Sequence, residues 1–185
     1  AGLVGAFFIK ALLQAEVRAE RWRFPEPLKP AVGGLCLGLL VYVLGGFGGL
    51  YEAIKELSSV VHSPGMLDSL RYLVIALVGT CLTLGSGGSG GVFAPSLALG
   101  ASLGAVLGQL PGYAFGDSAG VYAIVGAGAM VAATTRAPLT SVLIVIEITQ
   151  DYKILPGLLL ATTLAILVSS MLEPESIYTL KLALK

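Results

Sequence analysis

The chain of 185 residues is 56% hydrophobic and only 12% charged, with a mean hydropathy of +0.89. Soluble domains carry about 25% charge, so a water-soluble globule of this size is excluded and an integral, multi-pass membrane protein is expected. The formal net charge of zero argues against a nucleic acid or an acidic macromolecule as partner.

The chain opens inside an apolar segment at 2–13, with no initiator Met and no basic leader region. No signal peptide is read there, and a fragment of a longer polypeptide is expected. Further apolar segments fall at 31–51, 70–84, 92–110, 119–135, 138–149 and 154–172. A full crossing takes about 20 apolar residues, and several of these segments are shorter. Short hydrophobic segments interrupted by glycine or proline mark broken helices that meet near the bilayer midplane. The expected fold is therefore all-α, built from tilted and broken helices rather than uniform spans.

The polar stretch at about 16–30 holds Arg18, Arg21, Arg23 and Lys29 beside Glu16, Glu20 and Glu26, and is punctuated by Pro25, Pro27 and Pro30. Basic residues in short loops favour the cytoplasm, which places this loop inside, together with the tail carrying Lys181 and Lys185. Cys36 and Cys81 lie in apolar runs and read as small buried hydrophobes, not as a disulfide or a metal pair. A second polar stretch, Glu52 to Asp68, contains the single His62 and the turn signal Ser63-Pro64-Gly65, and reads as a loop.

The next feature is a break, Gly85-Ser86-Gly87-Gly88-Ser89-Gly90-Gly91-Val92-Phe93-Ala94-Pro95-Ser96, in a region with no charge between Arg71 and Asp117. At membrane depth, unwound backbone survives only where it is buried in protein or lines a polar cavity. Pro95 suits the first turn of a helix, which leaves the amides from Gly91 to Ala94 as orphan donors. With the positive end of the helix dipole they form a position for an anion. Gly90 and Gly91 let the backbone approach a ligand without Cβ interference. A plain loop between two spans is the competing reading. Gly87-Gly88-Ser89-Gly90-Gly91 also fits the G-x-S-x-G elbow of serine hydrolases, so an intramembrane hydrolase using Ser89 is the alternative function. That chemistry needs a strand before the turn and a His base, and Leu73–Leu84 reads as helix. A phosphate loop is excluded because no Gly-Lys-[Ser/Thr] follows.

Gly100, Gly104 and Gly108 stand one turn apart on one helical face, a packing surface for a neighbouring backbone. Arg136-Ala137-Pro138 opens a short apolar helix carrying Glu147 near its end. Arg136 could satisfy the last carbonyls of the small-residue helix before it. Glu147 suits capping or pairing near an interface, so both read as structural. Tyr178, in Ser176-Ile177-Tyr178-Thr179-Leu180, reads as an interfacial anchor or a buried tyrosine with a local partner.

Four blocks then fall in a known order: Gly90-Gly91-Val92-Phe93-Ala94-Pro95, Leu97-Ala98-Leu99-Gly100-Ala101, Arg136-Ala137-Pro138-Leu139-Thr140 with Glu147, and Tyr178. From about Leu73 to Lys185 the chain resembles the CLC chloride channels and transporters. The resemblance implies a homodimer in which each subunit has its own anion pathway, built from two inverted halves of tilted, broken helices. Residues 1–185 correspond to the second, C-terminal half of that membrane domain. By similarity, the amides of Val92 and Phe93 hold a central anion, and the Tyr178 hydroxyl coordinates it from the cytoplasmic side. Gly90, Gly91, Ala94 and Pro95 form the supporting loop. The transported ligand is chloride or a similar anion; no cofactor, metal or enzymatic activity is implied. The family's G-S-G-I-P-type motif, its gating glutamate in G-[KR]-E-G-P and its internal proton glutamate are absent from this chain, so channel and proton-coupled exchanger remain equally open.

Overall fold

The structure, a computed structural model, describes residues 1–20, 28–43, 65–88, 90–110 and 119–179. These residues form seven principal helices: α1 (Gly2–Glu20), α2 (Lys29–Val43), α3 (Met66–Gly85), α4 (Phe93–Gly108), α5 (Ala119–Thr135), α6 (Pro138–Thr149) and α7 (Leu155–Leu172). A 3-10 turn, Tyr152–Ile154, leads into α7, and helix resumes at 177–179. Pro30, Pro138 and Pro156 each lie in the first turn of a helix, where a missing N–H costs nothing.

Only α3 and the segment Tyr152–Leu172 are long and apolar enough to cross a bilayer alone among the described residues. At 1.5 Å per residue, α4 and α6 reach about 24 and 18 Å, short of the roughly 30 Å hydrocarbon core. The expected broken-helix architecture is what the described residues show.

The centre of the assembly is the α4–α5 pair. Further packing joins α3 to α4, α2 to α3, α6 to α5 and α7, and α1 to α3, α5 and α7. A Cβ on Gly100 would strike the Gly126 carbonyl, and one on Gly104 the Tyr122 carbonyl. Gly126 in turn faces the backbone of Gly100 and Gly104. Backbone thus meets backbone, as the glycine spacing predicts. Hydroxyls join α6 and α7 to α5: Ser141 donates to the Gly128 carbonyl at 2.5 Å and Ser169 to the Ala133 carbonyl at 3.0 Å. In lipid such bonds replace the missing hydrophobic drive between helices. On the outer faces, Leu139 and Leu143 of α6 and Leu160, Leu164 and Met171 of α7 stand exposed, an apolar surface that a bilayer or a second membrane chain would solvate.

Three boundaries or environments differ from expectation. The polar stretch at 16–30 is helical at both ends, since α1 continues to Glu20 and α2 begins at Lys29; residues 21–27 lie outside the described residues. Ala, Glu and Arg are strong helix formers, so polarity alone does not stop a helix. Likewise α3 begins at Met66, inside the expected loop, with Asp68 favourably placed in its first turn and paired to Arg71 at 3.2 Å. Most of that stretch, including His62, lies outside the described residues, as do Gly45 to Gly49, Lys181 and Lys185. Cys36 is exposed and Cys81 half-buried, not the buried hydrophobes expected, and both are free thiols. Among the described residues α2 packs mainly on α3, which leaves most of its circumference open.

Candidate anion-binding site

The glycine-rich break starts with a defined stop. Gly87 adopts φ 83°, and its N–H donates to the Leu84 carbonyl at 3.1 Å, while the Gly88 N–H reaches the Thr83 carbonyl at 3.0 Å. These are the two bonds of a Schellman motif, which requires a left-handed residue where glycine has no Cβ penalty. Beyond it, Gly90, Gly91 and Pro95 line a groove of about 240 Å³ with Leu37, Thr80 and Thr83. The sequence leads one to expect a break either buried in protein or lining a polar cavity, and this groove is largely apolar. Its Thr80 and Thr83 hydroxyls donate back into α3, to the carbonyls of Ala76 and Gly79.

Helix α4 begins at Phe93, with Val92 before it and no side chain capping its first amides. Its first helical bond runs from the Ser96 N–H to the Val92 carbonyl at 3.1 Å. The N–H groups of Phe93 and Ala94 therefore precede any intrahelical acceptor, and Pro95 has none to offer. Ala94, Gly90 and Gly91 are exposed, Phe93 and Pro95 half-buried, and Val92 is in the core. An uncapped N-terminus of this kind presents positive partial charge to its surroundings.

Tyr178 is held locally by a reciprocal cap. The Thr179 N–H donates to the Ser176 hydroxyl oxygen at 3.1 Å, and the Ser176 N–H donates to the Thr179 hydroxyl oxygen at 2.9 Å. Ser176 thus starts the helix at 177–179 in the manner of a capping box. Ile177 is fully buried in the same apolar cluster as Val92, Leu84 and Leu99. The residues adjacent to Tyr178 and Phe93 in sequence therefore belong to one core cluster. The Tyr178 side chain itself is half exposed.

Arg136 serves a different helix from the one expected. Its guanidinium does not cap α5; it donates to the carbonyl of Ile166 in α7 at 3.1 Å and to that of Glu173 just beyond α7. Its own backbone is left-handed, at φ 63°, because α5 must stop and reverse before Pro138. The Glu173 carboxylate pairs with Lys10 of α1 at 3.4 Å. Glu147 is exposed near the end of α6 and forms no ion pair among the described residues, although its carbonyl accepts from the Gln150 side chain at 2.8 Å.

The hydrolase alternative lacks its scaffold. Ser89 and His62 lie outside the described residues, and α3 runs as helix to Gly85 where an elbow needs a strand. Several polar residues of the site went unread in the sequence. The Ser176-x-x-Thr179 cap carries a local signal, whereas Lys10 with Glu173 and Ser96 with Thr134 are pairings no local spacing announces.

The comparisons with known proteins point the same way as this geometry. Residues 1–170 match the family described as voltage-gated chloride channel. The voltage-gated ClC-type chloride channel ClcB of Citrobacter koseri is 32% identical over 183 residues, covering 96% of this chain and 43% of its own length. The H(+)/Cl(−) exchange transporter ClcA of Salmonella typhimurium is 34% identical over 192 residues, 98% of this chain and 40% of its own. Among solved structures, a slow cyanobacterial Cl−/H+ antiporter is 29% identical with a TM-score of 0.79, covering 98% of this chain and 44% of that one. The chain thus spans about two fifths of the length of these curated relatives. None of the three comparisons supports a serine hydrolase. An all-helical membrane chain with a family match over nearly its whole length leaves one assignment: the protein belongs to the voltage-gated chloride channel family, and its helices form part of a CLC membrane domain.

Proposed function

We propose that this chain is the C-terminal half of a membrane domain that carries chloride or a similar small anion across the bilayer, as a channel or as an anion/proton exchanger. The observation that carries the reading is the uncapped start of α4 inside a membrane-embedded break, sharing one core with the Tyr178 segment. The amides of Val92 and Phe93 and the hydroxyl of Tyr178 are the anion's ligands in this reading, with Gly90, Gly91, Ala94 and Pro95 shaping the approach. Amides and a phenol stabilise an anion without a full counter-charge, which permits release as well as binding. The names of the relatives, a chloride channel and an H+/Cl− exchanger, favour the same ligand. The other half of the pathway belongs to an N-terminal half of the same polypeptide, and the subunit pairs as a homodimer. The polar stretch 16–30 and the tail lie in the cytoplasm, supported by the basic residues of both.

The test is calorimetric titration of chloride into the intact protein in detergent, paired with chloride efflux from liposomes. Saturable chloride binding together with efflux supports the reading. A folded protein that neither binds chloride nor releases it from vesicles overturns it.

A further inference from the structure

We infer that Ser96 is a positioning residue for the anion site, holding the Phe93 amide in its donating direction, and that Thr134 of α5 holds Ser96 in turn. The inference rests on the reading of the α4 start as an anion site.

The Val92 carbonyl accepts two bonds from one residue: the Ser96 N–H at 3.1 Å and the Ser96 hydroxyl at 2.8 Å. That carbonyl and the Phe93 N–H belong to the same peptide unit. A trans peptide is planar, with its C=O and N–H pointing in opposite directions. Anchoring the oxygen at two points therefore sets the plane of the unit and the direction of the Phe93 N–H, out of the helix start. Hydrogen bonds at the carbonyl also polarise the peptide and strengthen its N–H as a donor. Pro95, lacking an N–H, cannot share that carbonyl through a shorter i→i−3 bond, which leaves it to Ser96.

The hydroxyl has a neighbour on the adjoining helix. Thr134 Oγ1 lies 3.3 Å from Ser96 Oγ, and its alternative acceptors are the carbonyls of Met130 at 3.0 Å and Val131 at 3.1 Å. Both Ser96 and Thr134 are fully buried. Hydroxyls that simply satisfy themselves on the preceding turn are common here, as with Thr80, Thr83 and Thr149. Ser96 differs in two ways. Its acceptor belongs to the first peptide of a helix whose start faces the proposed anion, and a second helix contacts its hydroxyl.

The experiment uses chloride titration by calorimetry on the intact protein, with thermal melting of every variant. Ser96→Ala is expected to raise the chloride Kd about three- to tenfold, the loss of roughly one hydrogen bond's contribution. Thr134→Val shifts Kd in the same direction by less, and the double variant is no weaker than Ser96→Ala, because Thr134 acts through Ser96. Ser102→Ala is the control, a buried serine further along α4; it leaves Kd unchanged whatever it does to melting. The role of Ser96 alone is overturned if Ser96→Ala binds chloride like wild type while Tyr178→Phe weakens binding. It is also overturned if Ser102→Ala weakens binding as much, since the effect is then general packing. If wild type binds no chloride, the anion-site reading and the role of Ser96 fall together.

Discussion

The guanidinium of Arg136 donates to the main-chain carbonyl of Glu173, tying the break between α5 and α6 to the segment that leads into Tyr178. Both its acceptors, Ile166 and Glu173, are carbonyls at the far end of α7, and Lys10 of α1 closes on the Glu173 carboxylate. Three helices are joined through groups that carry no apolar signal.

Arg136→Ala should therefore destabilise the protein by about 2–4 kcal/mol, since hydrogen bonds to charged groups are each worth roughly 1.5–3 kcal/mol. The left-handed backbone at this position adds a discriminating comparison. Arg136→Gly loses the same bonds but relieves a conformational cost of about 1 kcal/mol. It should melt above Arg136→Ala in detergent; a glycine variant as weak as the alanine variant or weaker refutes this account.

Tyr178→Phe keeps the ring and removes only the hydroxyl. Loss of a hydrogen bond to an anion should raise the chloride Kd about tenfold or more, measured by calorimetry, with little change in melting because the buried anchor is Ile177. Unchanged affinity removes Tyr178 from the site.

Ser176→Ala breaks the reciprocal cap with Thr179 and should cost about 1 kcal/mol of local stability. Hydrogen exchange at 177–179 would rise while α4 keeps its protection. Equal protection in wild type and variant would show that Ile177 packing alone secures this turn.

Gly104→Ala places a methyl group against the Tyr122 carbonyl of α5, where no flexible side chain can yield. Forcing the helices apart should cost about 1–3 kcal/mol or more. Gly34→Ala on α2 meets nothing within 4 Å and should be neutral or stabilising by up to about 1 kcal/mol, the ordinary helix preference for alanine. Similar melting of the two variants would contradict the close α4–α5 approach.

Gly87→Ala tests the stop of α3. Space is free around it, yet φ 83° makes any side chain costly by about 1 kcal/mol. Gly87→Asn should recover part of that loss, because asparagine tolerates the left-handed region. If both variants melt with wild type, the Schellman stop does not hold α3.

Composition and local punctuation settled the membrane class, the helical character and most helix limits, since these depend on the apolar content and short-range backbone rules of each segment. Segments 119–135 and 138–149 reappear at the same bounds as α5 and α6. The spacing of Gly100 and Gly104 declared a packing face, and Pro95 declared a helix start. Polar helix ends were less legible: Glu16 to Glu20 and Met66 to Asp68 are helical because backbone bonding continues where hydropathy fades, aided at Asp68 by its pairing with Arg71. What remained for the tertiary structure was the choice of partners. Arg136 is one residue past α5, yet its hydrogen bonds lie 30 and 37 residues away. Ser96 and Thr134 are 38 residues apart, and Val92 and Ile177 share a core across most of the described C-terminal region. Such pairings follow from how whole helices stack, with buried polar groups seeking whatever acceptor the packing brings within reach. Sequence spacing announces a helix start; only the packing decides which other elements share its core.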